Sequence, residues 1–551
     1  MNEINLKTSM YDFILQRFSQ KEQDAAVGFL HRKFNFSRLK AEIDRCACAL
    51  VKFGIKKGDT ITLALPNIPS ALSLFYGANK LGIVINFVHP LLPYCQLRDN
   101  MNKTGSKTLF ALDAILDKYF NEAISDNIRI VSCTSEQWLS RLEKFFYVRL
   151  IKKRFSHTSK HDKITAIDDF LNVESFETET DNSFDETRVI MHSGGTGSLP
   201  KSVMLTNLNF NANAYNVAAV YPTGREGLGK GDAIMAILPM YHAFGFGVQI
   251  HAALFTGYQT LLIPAYNLKA IVKKIRRDKS IKMLAGVPTM FDGILNTKGF
   301  EGKHLKKLKT AFCGGDRLSE KTKIKFDSVL QKHHSACTLD AGYGMTEVVG
   351  ALSVNTKKQY RAGSVGKPLG GGCVVEAFDF ETDKLLNRGT YGQLCMCGDA
   401  VMKGYLGEEN DSGFFFIKEK KFVKSGDLGM VDEDGFIFFK SRIKRVVKVS
   451  GISVFPAEAE KVIQSLPGVR DCCVVPKEHQ YKGCALFAFI VLEERENSIE
   501  VLKCIREECK VKLDKWTLPK GYAFLEKLPL TGMGKPDSKK LEEIAISYSF
   551  D

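Results

Sequence analysis

For roughly 440 residues this chain alternates short apolar runs with amphipathic stretches, and that alternation restricts its fold more than any other feature. "DTITLALPN" (59–67) reads as a strand entering a turn, "IPSALSLFYGANKLG" (68–82) as a helix, and "IVINFVHP" (83–90) as the next strand. Strands joined through helices run parallel, and parallel strands bury both faces. The fold class expected is therefore α/β, with mostly parallel sheets between helices. "KKGDTITLALPN" from Lys56 is echoed by "GKGDAIMAILPM" from Gly229, both placing Lys-Gly-Asp before a strand that ends in proline. The echo implies two similar doubly wound subdomains. After "GFIFFKSRIKR" (435–445) the grammar changes. Strands near "DCCVVPKE" and "CALFAFIVLEE" and a helix near "SIEVLKCIREECKVKL" form a small α+β unit. The expected division is a large N-terminal domain over 1–442 and a small C-terminal domain over 443–551.

The amino terminus carries Glu3, Asp12 and Arg17 and has no apolar core, so a secretory signal is not expected. Ala233 to Leu268 contains no Asp, Glu, Lys or Arg, which could suggest a membrane span. Pro239, His242, Gln249, His251 and glycines interrupt it, and it reads instead as a buried β-α-β unit between "AIMAIL" and "QTLLIPA". Fourteen cysteines without a signal point to reduced thiols in the cytoplasm. Spacings such as Cys46/Cys48 and Cys395/Cys397 contain no C-x-x-C, which argues against a zinc site. A formal charge of +15 asks for an anionic partner. No nucleic-acid-binding pattern accompanies it, leaving a phosphorylated ligand or an anionic membrane. Residues 141–163 hold eight Lys/Arg against two acids among apolar side chains. This segment fits either a peripheral element on the inner membrane face or a solvated insertion.

The chemistry concentrates first in "MHSGGTGSLPKSV" (191–203). A glycine-rich turn after the strand "TRVIM" and before the helix "NLNFNANAYNVAAV", with Thr206 as N-cap, points backbone N–H groups at one spot. That geometry holds phosphate oxygens, and Lys201 adds a point charge. Counted from Gly195 the pattern is G-x-x-x-x-P-K-S, so Pro200 stands where a Walker A loop needs its second glycine, and proline has no N–H to donate.

The stretch resembles the phosphate motif of the adenylate-forming (AMP-binding) enzymes, among them acyl-CoA synthetases and fatty-acid–CoA ligases. It departs from their usual form at Gly197-Ser198 and at Ser202. Further motifs follow in the family's order: "AFCGGDRLS" (311–319), "DAGYGMTEVVG" (340–350), "KSGDLG" (424–429), "FKSRIKRVVKVSGISVFPAEAE" (439–460) and "LPLTGMGKPDSKKL" (528–541). The resemblance implies a small β-barrel-like subdomain within the large domain and a mobile C-terminal lid. It implies ATP/AMP binding by Ser193, Gly194, Gly195, Thr196, Gly197, Ser198, Gly314, Gly315, Asp316, Tyr343, Gly344, Met345, Thr346, Asp427 and Arg442. Tyr343 would offer a ring to adenine, Asp427 and Arg442 would hold the ribose, and Glu347 would ligate Mg2+. Lys444 would be the hinge, Lys448 and Gly451 would serve the thioester step, and Lys535 would be the catalytic lysine. Thr346, Glu347, Lys201 and His242 complete the expected catalytic set.

The activity implied is attack of a carboxylate on the α-phosphate of ATP, giving acyl-AMP and pyrophosphate, then transfer to coenzyme A. Because anion meets anion, positive charge and positioning carry most of the catalysis. "LPMYHAFGFG" (238–247) resembles the family's acyl-pocket motif, with His242, Ala243, Phe244, Gly245, Ala341, Gly342 and Val348 as expected lining. Ala243 follows His242 where amino-acid-activating relatives carry an Asp, which argues against an α-amino acid. A medium- or long-chain fatty acid fits this apolar setting. An aromatic acid, delivery to an acyl carrier protein in place of coenzyme A, and a degenerate nucleotide-binding protein on the same fold are the alternatives.

Overall fold

The computed structural model describes residues 4–18, 22–116, 126, 128–139, 164–193, 201–224, 231–370, 372–408, 413–445, 447–449, 452–479, 483–493, 496–531 and 536–550. Two large sheets carry most of the chain before residue 370. One has eight strands, in the order Gly404–Tyr405, Ser202–Thr206, Thr187–His192, Val84–Phe87, Thr60–Ala64, Thr108–Leu112, Arg129–Cys133, Ile164–Ala166. The other has nine, with Ala233–Ala236 between Gln259–Leu262 and Ile281–Gly286 near its middle. Their central strands pair in parallel, as the alternation implied.

The Lys-Gly-Asp echo has a structural counterpart. In each sheet the strand that follows it has the next strand of the chain on one side and the one after that on the other. Gly58 and Gly231 both turn the chain at positive φ, 83° and 70°. The carbonyl of the following Asp accepts the first N–H of the neighbouring strand, Val84 to Asp59 at 2.8 Å and Gln259 to Asp232 at 2.9 Å. A strand with successors on both sides is a switch point, and such sheets bind ligands at the carboxyl ends of those strands. Asn67 joins the two ends. Its Nδ2 donates to the Ala236 and Leu238 carbonyls, each at 2.9 Å, and the Met240 N–H donates to its Oδ1 at 2.7 Å. Asn67 is buried, so these bonds are each worth about 1 kcal/mol, more if one partner is orphaned.

Between the sheets lies the helix Pro69–Lys80, with every residue buried. Phe75 packs on Phe246 from the opposite half, ring centroids 4.2 Å apart. The uncharged stretch from Ala233 is indeed a buried β-α-β unit, with one refinement: residues Gly245–His251 wind as a π-helix before the α-helical turn Ala252–Phe255. Among the described residues no helix is long and apolar enough to cross a membrane. The basic segment 141–163 lies outside the described residues.

An antiparallel sheet of five strands follows, built from Val374–Phe378, Gly392–Cys397, Phe414–Ile417, Lys420–Val431 and Ile437–Arg442. It occupies the place of the expected barrel-like subdomain. Beyond it, Val469–His479, Gly483–Leu492 and Gly521–Phe524 form a three-stranded sheet with its own core, covered by the helices Pro456–Gln464, Ser498–Lys512 and Ser538–Ile546. Both expected strands and the expected helix of the small unit are present.

Candidate active site

An open cleft of about 2310 Å3 runs along the carboxyl ends of both sheets and is also lined by the five-stranded sheet and the last hundred residues. Ser193, Lys201, His242, Phe244, Gly315, Asp316, Ala341, Gly342, Tyr343, Gly344, Met345, Thr346, Glu347, Asp427 and Arg442 all line it. Residues as far apart as 193 and 442 therefore share one surface.

One part of the cleft is a three-residue constellation. Tyr343 ends the strand Leu339–Tyr343, Asp427 lies in Lys420–Val431, and Arg442 pairs with it in register from the neighbouring strand. The Tyr343 hydroxyl donates to Asp427 Oδ2 at 2.6 Å, and Arg442 Nε lies 2.9 Å from Oδ1. Burial and the Asp427 carboxylate hold the Tyr343 hydroxyl well above its ordinary pKa, so it stays a donor. Beside it the backbone is packed too closely for any side chain: a Cβ at Gly344 would lie 2.2 Å from the Gly350 carbonyl.

The region around Lys201 and Glu347 is organised differently. Lys201 Nζ pairs with Glu408 at 3.0 Å and lies 4.1 Å from the ring centroid of Tyr405. The Tyr405 hydroxyl donates to Glu347 Oε1 at 2.9 Å. Glu347 sits in the 3-10 turn Thr346–Val348, which ends at Val349 with φ 58°. A left-handed β-branched residue costs about 1–3 kcal/mol, strain held here by burial on every side. Burial also raises the Glu347 pKa, opposed by its hydrogen bonds.

The expectation of a turn leading directly into a helix is corrected. The loop joins two antiparallel strands, Thr187–His192 and Ser202–Thr206, with His192 opposite Ser202. The helix starts only at Asn207, capped by Thr206 as expected, after the whole strand Ser202–Thr206 has intervened. The short strand "SVMLT" is held on its far side by Gly404–Tyr405, a partner some 200 residues away that the local pattern does not reveal. Among the loop's residues Gly194, Gly195, Thr196, Gly197 and Ser198 lie outside the described residues, as do Gly451 and Lys535 and the side chains of Lys444 and Lys448.

Three expected pocket residues are not among those lining the cleft. Ala243 and Val348 are in the core. A Cβ at Gly245 would meet the Pro239 carbonyl at 2.2 Å, so this glycine serves close packing. His242 does line the cleft. The Phe244 N–H donates to its Nδ1 at 3.2 Å, which in the neutral ring puts the proton on Nε2. A small apolar pocket of about 40 Å3 opens beside Gly315 and Gly342, lined by Val217, Val220, Phe244, Val248, Phe312, Val354 and Leu369. Of these only Phe244 was expected. Val217 stands in the last turn of the helix Asn207–Ala218 and Val220 just beyond its end, so no single helical face marks them in the sequence.

Residues 15–406 match the family model described as AMP-binding enzyme, and residues 458–535 match the AMP-binding enzyme C-terminal domain. The chain belongs to the AMP-binding enzymes. It is 26% identical over 536 residues to a probable 4-coumarate–CoA ligase 3 of Dictyostelium discoideum, covering 94% of this chain and 91% of the relative. It is 25% identical over 535 residues to a long-chain-fatty-acid–CoA ligase of Bacillus subtilis, covering 96% and 92%. A solved benzoate CoA ligase from Burkholderia xenovorans has the same fold, with a TM-score of 0.81, 18% identity and coverage of 97% and 99%. By family this AMP-binding enzyme is an acid–thiol ligase. An aromatic ring, a carboxylate–arginine pair, a lysine and a buried glutamate all line its cleft.

Proposed function

We propose that this AMP-binding enzyme activates a medium- or long-chain fatty acid as its acyl-adenylate and passes the acyl group to coenzyme A. The observation that carries the reading is the apolar pocket beside Gly342, whose lining contains no charged side chain. A hydrocarbon tail gains about 0.8 kcal/mol per methylene buried there. The pocket's 40 Å3 is small beside the ~150 Å3 of a cavity that holds benzene. A thin polymethylene chain can extend it by rotating Val and Leu side chains, whereas a ring needs full width at once. An aromatic acid is the second reading, favoured by the glycine walls at Gly314, Gly315 and Gly342.

In the mechanism, Asp427 and Arg442 take the ribose hydroxyls and Tyr343 supports the adenine. His242 Nε2 and Thr346 orient the carboxylate toward the α-phosphate, so that the attack is in line. Lys201, and Lys535 from the small domain, spread positive charge over the phosphates. Glu347 is a hard oxygen donor in a buried setting, which fits Mg2+. Bound there, the ion would neutralise charge on the phosphate oxygens. The thioester step would follow a turn of the 443–551 domain about Lys444, with Lys448 and Gly451 facing the thiol. We place the protein in the cytoplasm.

The test is product analysis by mass spectrometry with Mg·ATP and a pool of acids from acetate to stearate, with benzoate and cinnamates, with and without coenzyme A. Acyl-CoA of medium or long chain formed only with the coenzyme supports the reading. Aroyl-CoA as the main product favours the aromatic alternative. Acyl-AMP without thioester moves the acceptor to a carrier protein, and no adenylate from any acid leaves a nucleotide-binding protein.

A further inference from the structure

A line of polar side chains runs across five neighbouring strands of the eight-stranded sheet, starting at the neck of the phosphate loop. Ser202 Oγ lies 3.2 Å from His192 Nδ1, and His192 Nε2 lies 2.8 Å from Asn86 Oδ1. Asn86 Nδ2 donates to Thr62 Oγ1 at 3.0 Å, Thr62 Oγ1 donates to Ser106 Oγ at 2.8 Å, and Ser106 Oγ donates to the Thr108 carbonyl at 3.3 Å. Thr62 and Asn86 are fully buried, with Ser106 and Ser202 nearly so.

The far end fixes every direction. A carbonyl only accepts, so the Ser106 proton points at Thr108 and the Thr62 proton at Ser106. Thr62 must then accept from the Asn86 amide, which leaves Asn86 Oδ1 facing the histidine. His192 therefore carries its proton on Nε2, and Nδ1 accepts from Ser202. Each hydroxyl and the ring N–H donates once, and the chain runs one way from the loop neck to the middle of the sheet. Burial, with Lys103 nearby, lowers the His192 pKa to about 4, which keeps the ring in the neutral form this chain requires.

The neck itself is one bond further on. Ser193 N–H donates to the Lys201 carbonyl at 2.9 Å, directly beyond the His192–Ser202 pair. We propose that His192 and Ser202 are positioning residues for the triphosphate: by tying both strand ends to the sheet they fix where Ser193 and Lys201 stand. This rests on the reading of the cleft as an ATP site with its phosphate end at Lys201.

The experiment is calorimetric binding of ATP and of AMP to the full chain, for the wild type, His192→Ala, Ser202→Ala and the double variant. AMP lacks the β- and γ-phosphates, so it reports the nucleoside end alone. Each single variant is expected to weaken ATP about tenfold, the worth of one buried hydrogen bond with its orphaned partner, and to leave AMP within twofold. The double variant is expected to be no weaker than the worse single, because both changes cut one chain. Ser202→Ala removes a single hydroxyl and keeps the test open if His192→Ala does not fold. Equal weakening of ATP and AMP would mean a general structural role and overturn the proposal, as would unchanged ATP binding in Ser202→Ala. A wild type that binds neither nucleotide would overturn the reading of the cleft itself.

Discussion

The two ends of the cleft solve the same problem, holding polar groups ready for a ligand, in opposite ways. At the proposed nucleoside end Tyr343, Asp427 and Arg442 hold one another in a geometry set by strand register. Their arrangement is built before any ligand arrives. At the proposed phosphate end the two charges of interest are each masked by other parts of the chain: Lys201 by Glu408 and Tyr405, and Glu347 by Tyr405 and by burial. A ligand there must displace internal partners. Preorganised charge costs nothing at the moment of reaction, while masked charge has to be released, so the second end should govern ATP affinity and the first the placement of the nucleoside.

The largest effect expected is at Glu347. Its raised pKa means that the folded state disfavours the charged form, so the carboxylate is kept at a cost to stability. Glu347→Gln should lower the adenylation rate about 10²–10³-fold, as for loss of one electrostatic stabiliser, while thermal stability at pH 7 stays equal or rises. Adenylation rates and melting temperatures measured together check this, and a variant that is both less stable and fully active would remove Glu347 from the phosphate end.

Asp427→Ala tests the other end. The carboxylate is buried, and its loss strands the Tyr343 hydroxyl, while Arg442 is exposed enough for water to take over part of its charge. The variant should lose about 1–3 kcal/mol of stability. It should weaken AMP and ATP by equal factors of roughly ten to a hundred, the worth of two lost hydrogen bonds. Unequal factors would show that the two ends are not independent.

Acid should strike the two ends unequally as well. His192 has a folded pKa of about 4, below the ~6.5 of an unfolded histidine. The unfolded chain therefore binds the proton first. The contribution is intact above pH 6.5 and falls as pH drops toward 4, by up to ~1.4 kcal/mol per pH unit, about tenfold in the folding constant. Hydrogen exchange between pH 7 and 4.5 should show the hairpin Thr187–Thr206 opening before the strand holding Asp427. Simultaneous opening would argue against a separate acid-sensitive end. His251 titrates lower still, at about 3, owing to burial, but it stands in the π-helix away from the hairpin.

How much of this the sequence showed follows from the same contrast. The strands and helices of both halves were legible because their periodicity is local, and the Lys-Gly-Asp echo marked both switch points. Tyr343, Asp427 and Arg442 were legible because each stands in a short motif. The masking was not: Lys201 and Glu408 are 207 residues apart, Glu347 and Tyr405 58 apart, and a neutralising contact leaves no local pattern. The strand Ser202–Thr206 was passed over for a related reason, since its partners at His192 and Tyr405 lie across a loop and across the fold. Ala243, Gly245 and Val348 are buried and do not line the cleft, although His242, Phe244 and Glu347 beside them in the same motifs do.

The smallest effect is the most direct test of masking. Lys201 and Glu408 are each about one-third exposed, 36% and 35%, so the pair contributes at most about 1 kcal/mol. Glu408→Ala should leave stability within that margin and lower the KM for ATP two- to fivefold, because the lysine no longer exchanges one anion for another. The gain should shrink at high salt, where the pair is already screened. A raised KM would give Glu408 the opposite part, as the residue that holds Lys201 toward the phosphates, and both ends of the cleft would then be preorganised alike.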